Sequence, residues 1–376
     1  MEFLDWLILI LYFIALLYVI VKVKKVTTME DFAVASRNIS GPIVFATLSA
    51  SIVGPGYVMG LSDKGFNFGY TFFFIALMFS LQTIFTALFI APKIQTYKNA
   101  FTIGDIVGNH YGIISKRITG VISFLYCAGI VGVVAKASGD LISYFTGIDF
   151  TIAAILSTII VIIYSTHGGI KAVVISDVIQ FAVLTICIPL VLLFALNDIS
   201  ATSIEESYVD NFTSLFNGFS NLEILALMLS FLLGEALVPP YVSRALMSKS
   251  PREAKIGFLY AGLFMMIWFF IIISLGMIGK TLIPDSPSGE VFFNLLTKYA
   301  PVGILGLIAA AMISIIMSTK DSFLNAASLS FTFDLANKSD VSNNLKFTQY
   351  VNILTGLIAV GFALVIPNLI DAIVKI

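Results

Sequence analysis

One stretch of this chain, Ile315-Ile-Met-Ser-Thr-Lys-Asp-Ser-Phe-Leu324, places several oxygen ligands inside an apolar segment. At about 100° per residue on a helix, Ile315, Ser318, Thr319 and Ser322 share one face. Asp321 flanks Ser318, while Lys320 points away and is expected to extend toward the cytoplasmic interface. Oxygen donors suit hard cations. Neither Cys nor His stands nearby, so a transition-metal site is not expected. Ser and Thr hydroxyls in helices also bond their own backbone at i−4, so the hydroxyls alone do not decide. An intramembrane carboxylate is harder to set aside, because charge there is costly and usually functional. A second one, Asp177, lies in Gly168-Gly-Ile-Lys-Ala-Val-Val-Ile-Ser-Asp-Val-Ile-Gln180. It either meets Asp321 at one depth in the inner third of the membrane or caps a helix start.

The other signal is a pair of interruptions. Ser51-Ile-Val-Gly-Pro-Gly-Tyr-Val-Met-Gly60 carries Gly54-Pro55-Gly56 within an apolar run. Proline removes a backbone donor and clashes with the preceding turn, and glycine is a poor helix former. In hydrocarbon every freed backbone group needs a new partner, so neighbouring protein or a polar ligand must supply one. A second break, Gly234-Glu235 followed by Pro239-Pro240, stands at the matching place later in the chain. Paired interruptions of this kind point to a transporter's central site. The substrate candidates are Gly54, Pro55, Gly56, Tyr57, Gly234, Glu235 and, on the third core helix, Lys136. Glu235 and Lys136 either serve the substrate or pair with each other as a structural bridge.

The elements that must position these residues are membrane helices. The chain has 376 residues, 59% hydrophobic and 11% charged, with a mean hydropathy of +1.00. Soluble domains average about 25% charged residues, so a soluble enzyme is excluded and an all-α polytopic membrane protein is expected. Apolar runs near the ~20 residues needed to span fall at 3–22, 41–62, 69–92, 117–146, 150–166, 172–195, 221–243, 256–280, 302–335 and 347–367. Setting the first aside, residues 41–195 form one set of five. A second set opens at 221, inverted because five is odd, and stops short of its last helix. The Met-Glu-Phe-Leu-Asp start has no basic region, so no cleaved signal is expected. Cys127 and Cys187 fall inside spans and imply no disulfide framework.

Charge sets the orientation. With the N-terminus outside, the inner loops gather most of the Lys and Arg, including Lys93, Lys116, Lys171, Arg244, Arg252 and Lys255. The 196–220 loop, with Asp198, Glu205, Glu206 and Asp210, falls outside. No catalytic triad, phosphate loop or nucleic-acid patch is legible, so neither an enzyme nor a nucleic-acid partner is expected.

Five stretches in order resemble the sodium:solute symporter family, which includes sodium/glucose, sodium/proline and sodium/pantothenate carriers. They are Asp31-Phe-Ala-Val-Ala-Ser-Arg-Asn-Ile-Ser-Gly41, Thr102-Ile-Gly-Asp with Tyr111-Gly112, Gly168 to Gln180, Arg244 with Lys249-Ser-Pro-Arg-Glu-Ala-Lys255, and Met317-Ser-Thr-Lys-Asp-Ser-Phe-Leu-Asn325. The resemblance implies a leucine-transporter-type 5+5 inverted repeat with one extra N-terminal helix and the last core helix cut short. It implies a main sodium site of the Ala50 and Val53 carbonyls, the Ile315 carbonyl and the Ser318 and Thr319 hydroxyls. A further cation site maps to Asp177, Ser318, Asp321 and Ser322, where two carboxylates could favour a proton over sodium. Where some members carry an acidic or amide residue beside the first break, this chain has Ile52. The implied function is sodium-coupled import of a small polar solute across the cell membrane. The rival expectations are a non-transporting membrane sensor with a symporter-like body and an inactive remnant.

Overall fold

The computed structural model describes residues 2–22, 25–197, 199, 219–287, 289–336 and 344–365. The tail where a last core helix is expected lies outside the described residues, as do Asp198, Glu205, Glu206 and Asp210.

Among the described residues the regular elements are helices: α1 (Phe3–Lys22), α2 (Met29–Val34), α3 (Gly41–Ile52), α4 (Pro55–Phe68) and α5 (Thr71–Phe85). A π turn at Thr86–Ile90 carries α5 into α6 (Ala91–Gln95). Then come α7 (Ile103–Thr146), α8 (Phe150–Leu196), α9 (Asn221–Leu233), α10 (Pro239–Met247), α11 (Pro251–Leu282) and α12 (Val291–Tyr299). The last are α13 (Ile304–Ser330), prolonged by a π turn to Leu335, and α14 (Asn344–Val365). Among the described residues six helical spans are long and apolar enough to cross a bilayer, and α3 with α4 makes a seventh, bent by 59°.

The count is below the ten expected spans partly because α8 joins two of them. The helix breaks at Gly169, where φ is +53° and a Cβ would lie 2.8 Å from the Phe32 backbone. Only glycine meets both demands there. The sequence reading also passes over α2, α12 and the turns of α7 ahead of Gly112, which are too short for an apolar-run search to detect.

α13 stands at the centre, packed on α1, α7, α8 and α14 and buried along nearly its whole length. Its start is capped from far away: the Asp5 carboxylate on α1 accepts from the backbone N–H groups of Gly303 (2.7 Å) and Gly306 (2.9 Å). A carboxylate there satisfies donors that a helix start leaves free. α11 packs on α3, α4 and α5, and approaches α4 so closely that a Cβ on Gly276 would overlap the Ser62 carbonyl. Small residues permit such backbone approach in membranes. At the start of α3, Ile39 pairs with the end of α10: its N–H donates to Met247 O (3.1 Å) and its carbonyl accepts from Lys249 N–H (2.8 Å). The start of the first broken helix is thereby tied to the end of the second.

Candidate functional site

The first break is a local consequence of Pro55. The proline offers no N–H to the Ser51 carbonyl. The Gly54 N–H turns back to Ile52 O (2.6 Å), and the Tyr57 N–H goes to Gly54 O (3.1 Å). The carbonyls of Ala50, Ser51 and Val53 therefore lose the donors that a continuous helix would give them.

α13 lies against this break. A Cβ on Gly54 would sit 3.2 Å from Thr319 Oγ1. The Thr319 hydroxyl donates to Ile315 O at i−4 (3.1 Å), and the Ser318 hydroxyl donates to Asp177 Oδ1 (2.5 Å). Both hydroxyls direct their protons away from the break, which leaves oxygen lone pairs available to a cation. Ala50, Val53, Ile315, Ser318 and Thr319 are all buried.

Asp177 and Asp321 are fully buried and each is surrounded by donors. Asp177 accepts from Thr47 and Ser318, and Asp321 from Tyr164, Ser176 (3.4 Å) and Ser322 (3.2 Å). The cation among these oxygens belongs to the protein. Arg244, on α10, is fully buried, and its Nη2 donates to Asp177 Oδ2 (3.0 Å), Ser51 Oγ (3.0 Å) and Ser322 Oγ (2.6 Å). This corrects the placement of Arg244 in an inner loop. Among the residues of the expected second cation site, Asp177, Ser318, Asp321 and Ser322, this guanidinium bridges Asp177 to Ser322. The available signal was local: Arg244 sits within Tyr241-Val-Ser-Arg-Ala-Leu-Met247, a run too apolar for a loop and started by Pro239-Pro240 at the helix N-terminus.

The second break, between α9 and α10, holds Gly234 and Glu235. Its freed backbone donors are met by Gln82 of α5: with the amide oxygen facing them, Gln82 accepts from Glu235 N–H (2.8 Å) and Ala236 N–H (2.6 Å). The two breaks face one cavity of about 160 Å³, whose lining includes Gly54, Tyr57, Tyr126, Glu235, Tyr241 and Thr319. The hydroxyls of Tyr57 and Tyr241 donate to the two Glu235 oxygens at 3.4 and 3.3 Å. Lys136 does not join this group. Its Nζ lies 3.8 Å from Asp140, one turn along α7, and over the Phe150 ring. A partner on its own helix thus takes the place of a bridge to Glu235, one of the two alternatives for this lysine.

Lys320 also departs from expectation. It is fully buried and donates to Ser157 Oγ and Thr158 Oγ1 of α8, both at 3.1 Å. Because α13 is enclosed on nearly every side, the face opposite Ser318 still meets protein, and the side chain has no route to the interface.

The family model for the sodium:solute symporter family matches residues 32–372. The chain is 24% identical to a sodium/glucose cotransporter of Vibrio parahaemolyticus, with 91% of this chain and 68% of that protein covered. It is 25% identical to a sodium/pantothenate symporter of Haemophilus influenzae (92% and 74% covered) and 25% identical to a sodium/proline symporter of Staphylococcus aureus (86% and 66% covered). It thus spans between two thirds and three quarters of the length of these relatives. A solved structure of a Na+-coupled sialic acid symporter, substrate-bound and outward-open, superposes with a TM-score of 0.86 at 20% identity, covering 96% of this chain and 82% of that one. The fold is the leucine-transporter-type arrangement. By a family match that runs over nearly its whole length, the chain belongs to the sodium:solute symporter family.

Proposed function

We propose that this protein is a sodium-coupled symporter of the cell membrane that imports a small polar solute by alternating access, with its N-terminus outside. The observation that carries the reading is the contact between the Gly54 break and Thr319. The break leaves the Ala50 and Val53 carbonyls without helical donors, and Gly54 beside them lies against a helix whose Ser318 and Thr319 hydroxyls have donated their protons elsewhere. With the Ile315 carbonyl they supply the oxygen set that a hard cation takes. The names of the relatives, sodium-dependent carriers of glucose, pantothenate and proline, agree with that ion.

In this reading residues 41–195 form the first repeat and the second opens at 221. The transported sodium bridges a broken helix of one repeat to α13 of the other. Filling the site favours whichever state brings the two together, and coupling arises because the ion binds the two states unequally. The solute sits beside the ion, between the two breaks. Arg244 already neutralises Asp177, so one sodium ion rather than two is expected to drive each cycle. The test is solute uptake into proteoliposomes with and without a sodium gradient. Ser318→Ala combined with Thr319→Ala should abolish the sodium-stimulated component; if that component survives at full size, the ion site lies elsewhere.

A further inference from the structure

We infer that the cavity between the two helix breaks takes a solute bearing an ammonium group, with Glu235 as its counter-ion. This rests on the transporter reading and adds the chemical class of the substrate. Among the described residues, Glu235 is the one charged side chain on the cavity wall. Its contacts with Tyr57 and Tyr241, at 3.4 and 3.3 Å, are longer than the roughly 2.5–3.0 Å of a well-formed O–H···O bond. Among the described residues no basic side chain lies within salt-bridge distance of it. Lys136 is held by Asp140 and Arg244 by Asp177. A carboxylate at membrane depth without a cation is costly, and an occupant that brings the cation removes that cost.

The rest of the lining fits the same occupant. The aromatic rings of Tyr57, Tyr126 and Tyr241 border the site, and aromatic faces attract alkylammonium groups. Tyr57 is held in place by stacking on Phe269, with ring centroids 5.6 Å apart. Beyond Tyr126, the wall contributed by α7 is apolar, with Ile130, Val134 and Ala137. A volume of about 160 Å³ suits a small solute. The solute is therefore a charged nitrogen on a small, partly apolar body. An anion without such a nitrogen would meet a bare carboxylate, and a neutral polyol would leave Glu235 uncompensated.

The experiment measures melting temperatures of the purified full chain in NaCl and in KCl, against matched solutes that differ in the nitrogen: choline with 3,3-dimethylbutanol, L-alanine with L-lactate, and 4-aminobutyrate with butyrate. At least one ammonium member should stabilise the protein in NaCl while its partner does not. Glu235→Gln should weaken that member's apparent affinity by about tenfold or more while leaving stabilisation by sodium alone intact. Equal binding of a partner without nitrogen, unchanged affinity in Glu235→Gln, or a response to sodium with none to any ammonium member would each overturn the inference while leaving the sodium site standing. No response to sodium at all would instead bring down the symporter reading on which it rests.

Discussion

Arg244 Nη2 donates to Asp177 Oδ2 across 3.0 Å, and neither side chain is exposed to solvent. The same nitrogen reaches Ser51 on α3 and Ser322 on α13, so one guanidinium joins the broken first helix, α13 and α8. Removing one member of a buried pair strands the other charge and costs about 3–5 kcal/mol. Arg244→Gln should therefore lower the melting temperature sharply, and adding Asp177→Asn should recover part of the loss because no bare charge then remains. The freed oxygens of Asp177, Ser51 and Ser322 should also admit a cation in Arg244→Gln, so the Hill coefficient for sodium should rise above that of the wild type. A melting temperature equal to the wild type's would show that the pair contributes nothing.

Arg244 also marks the limit of what the sequence reveals. The spanning helices are legible because burial in lipid demands long apolar runs, and the first break is legible because Gly-Pro-Gly contradicts helix formation locally. The partners that complete the site are not. Asp177 is 67 residues from Arg244, and Glu235 is far along the chain from Gln82, which caps its break. Pairings of that kind are set by how helices pack, and no local spacing records them. Lys320 departs from expectation for the same reason: α13 has almost no exposed face along which its amine could reach the interface.

Thr319 and Ser318 should separate by their bonding. The Thr319 hydroxyl donates only to Ile315 of its own helix, so Thr319→Val should leave the fold intact and weaken apparent sodium affinity by about tenfold or more. Ser318→Ala removes a donor from Asp177 as well, so it should lower both sodium affinity and melting temperature. Sodium titration followed by thermal shift reads both quantities in one assay. Equal melting temperatures for the two variants would contradict the role of the Ser318–Asp177 bond.

Close backbone approach makes Gly276 intolerant. A Cβ there would overlap the Ser62 carbonyl, and backbone cannot give way as a flexible side chain can. Gly276→Ala should cost about 1–3 kcal/mol or more. Gly361, on α14, has open space where a Cβ would go, so Gly361→Ala should be neutral or gain up to about 1 kcal/mol from helix propensity. Comparing the midpoints of thermal unfolding for the two variants distinguishes overlap from a general intolerance of glycine replacement.

Outside the membrane segments, hydrogen bonds from Lys171 and then Ser36 hold the Asp31 carboxyl below its ordinary range. A carboxyl lowered on folding contributes stability that is complete above its unfolded value, about 4, and is lost as pH falls through its folded value. Asp31→Asn should remove that contribution, so its melting temperature should fall less than the wild type's between neutral pH and the range below about pH 4. Parallel acid limbs in the two proteins would show that the α2–α8 tie carries no proton linkage. The effect should be small, because Lys171 is partly exposed and screened by water.

Lys320 gives the opposite expectation to Arg244. Its amine is fully buried and bonds two hydroxyls, but it has no carboxylate within salt-bridge distance among the described residues. Ser157 and Thr158 each donate to Ala154 O (3.1 and 2.8 Å), so neither hydroxyl loses its acceptor when the amine goes. Lys320→Met keeps most of the length of the side chain, ending one atom short, and removes the charge. Burying an ammonium without a counter-charge is costly, and an apolar side chain of similar volume removes that cost. The melting temperature of Lys320→Met should therefore equal or exceed that of the wild type, while Lys320→Ala should fall below it through the cavity left between α13 and α8. A loss in Lys320→Met as large as in Lys320→Ala would mean that the two hydroxyl contacts, rather than the volume of the chain, hold these helices together.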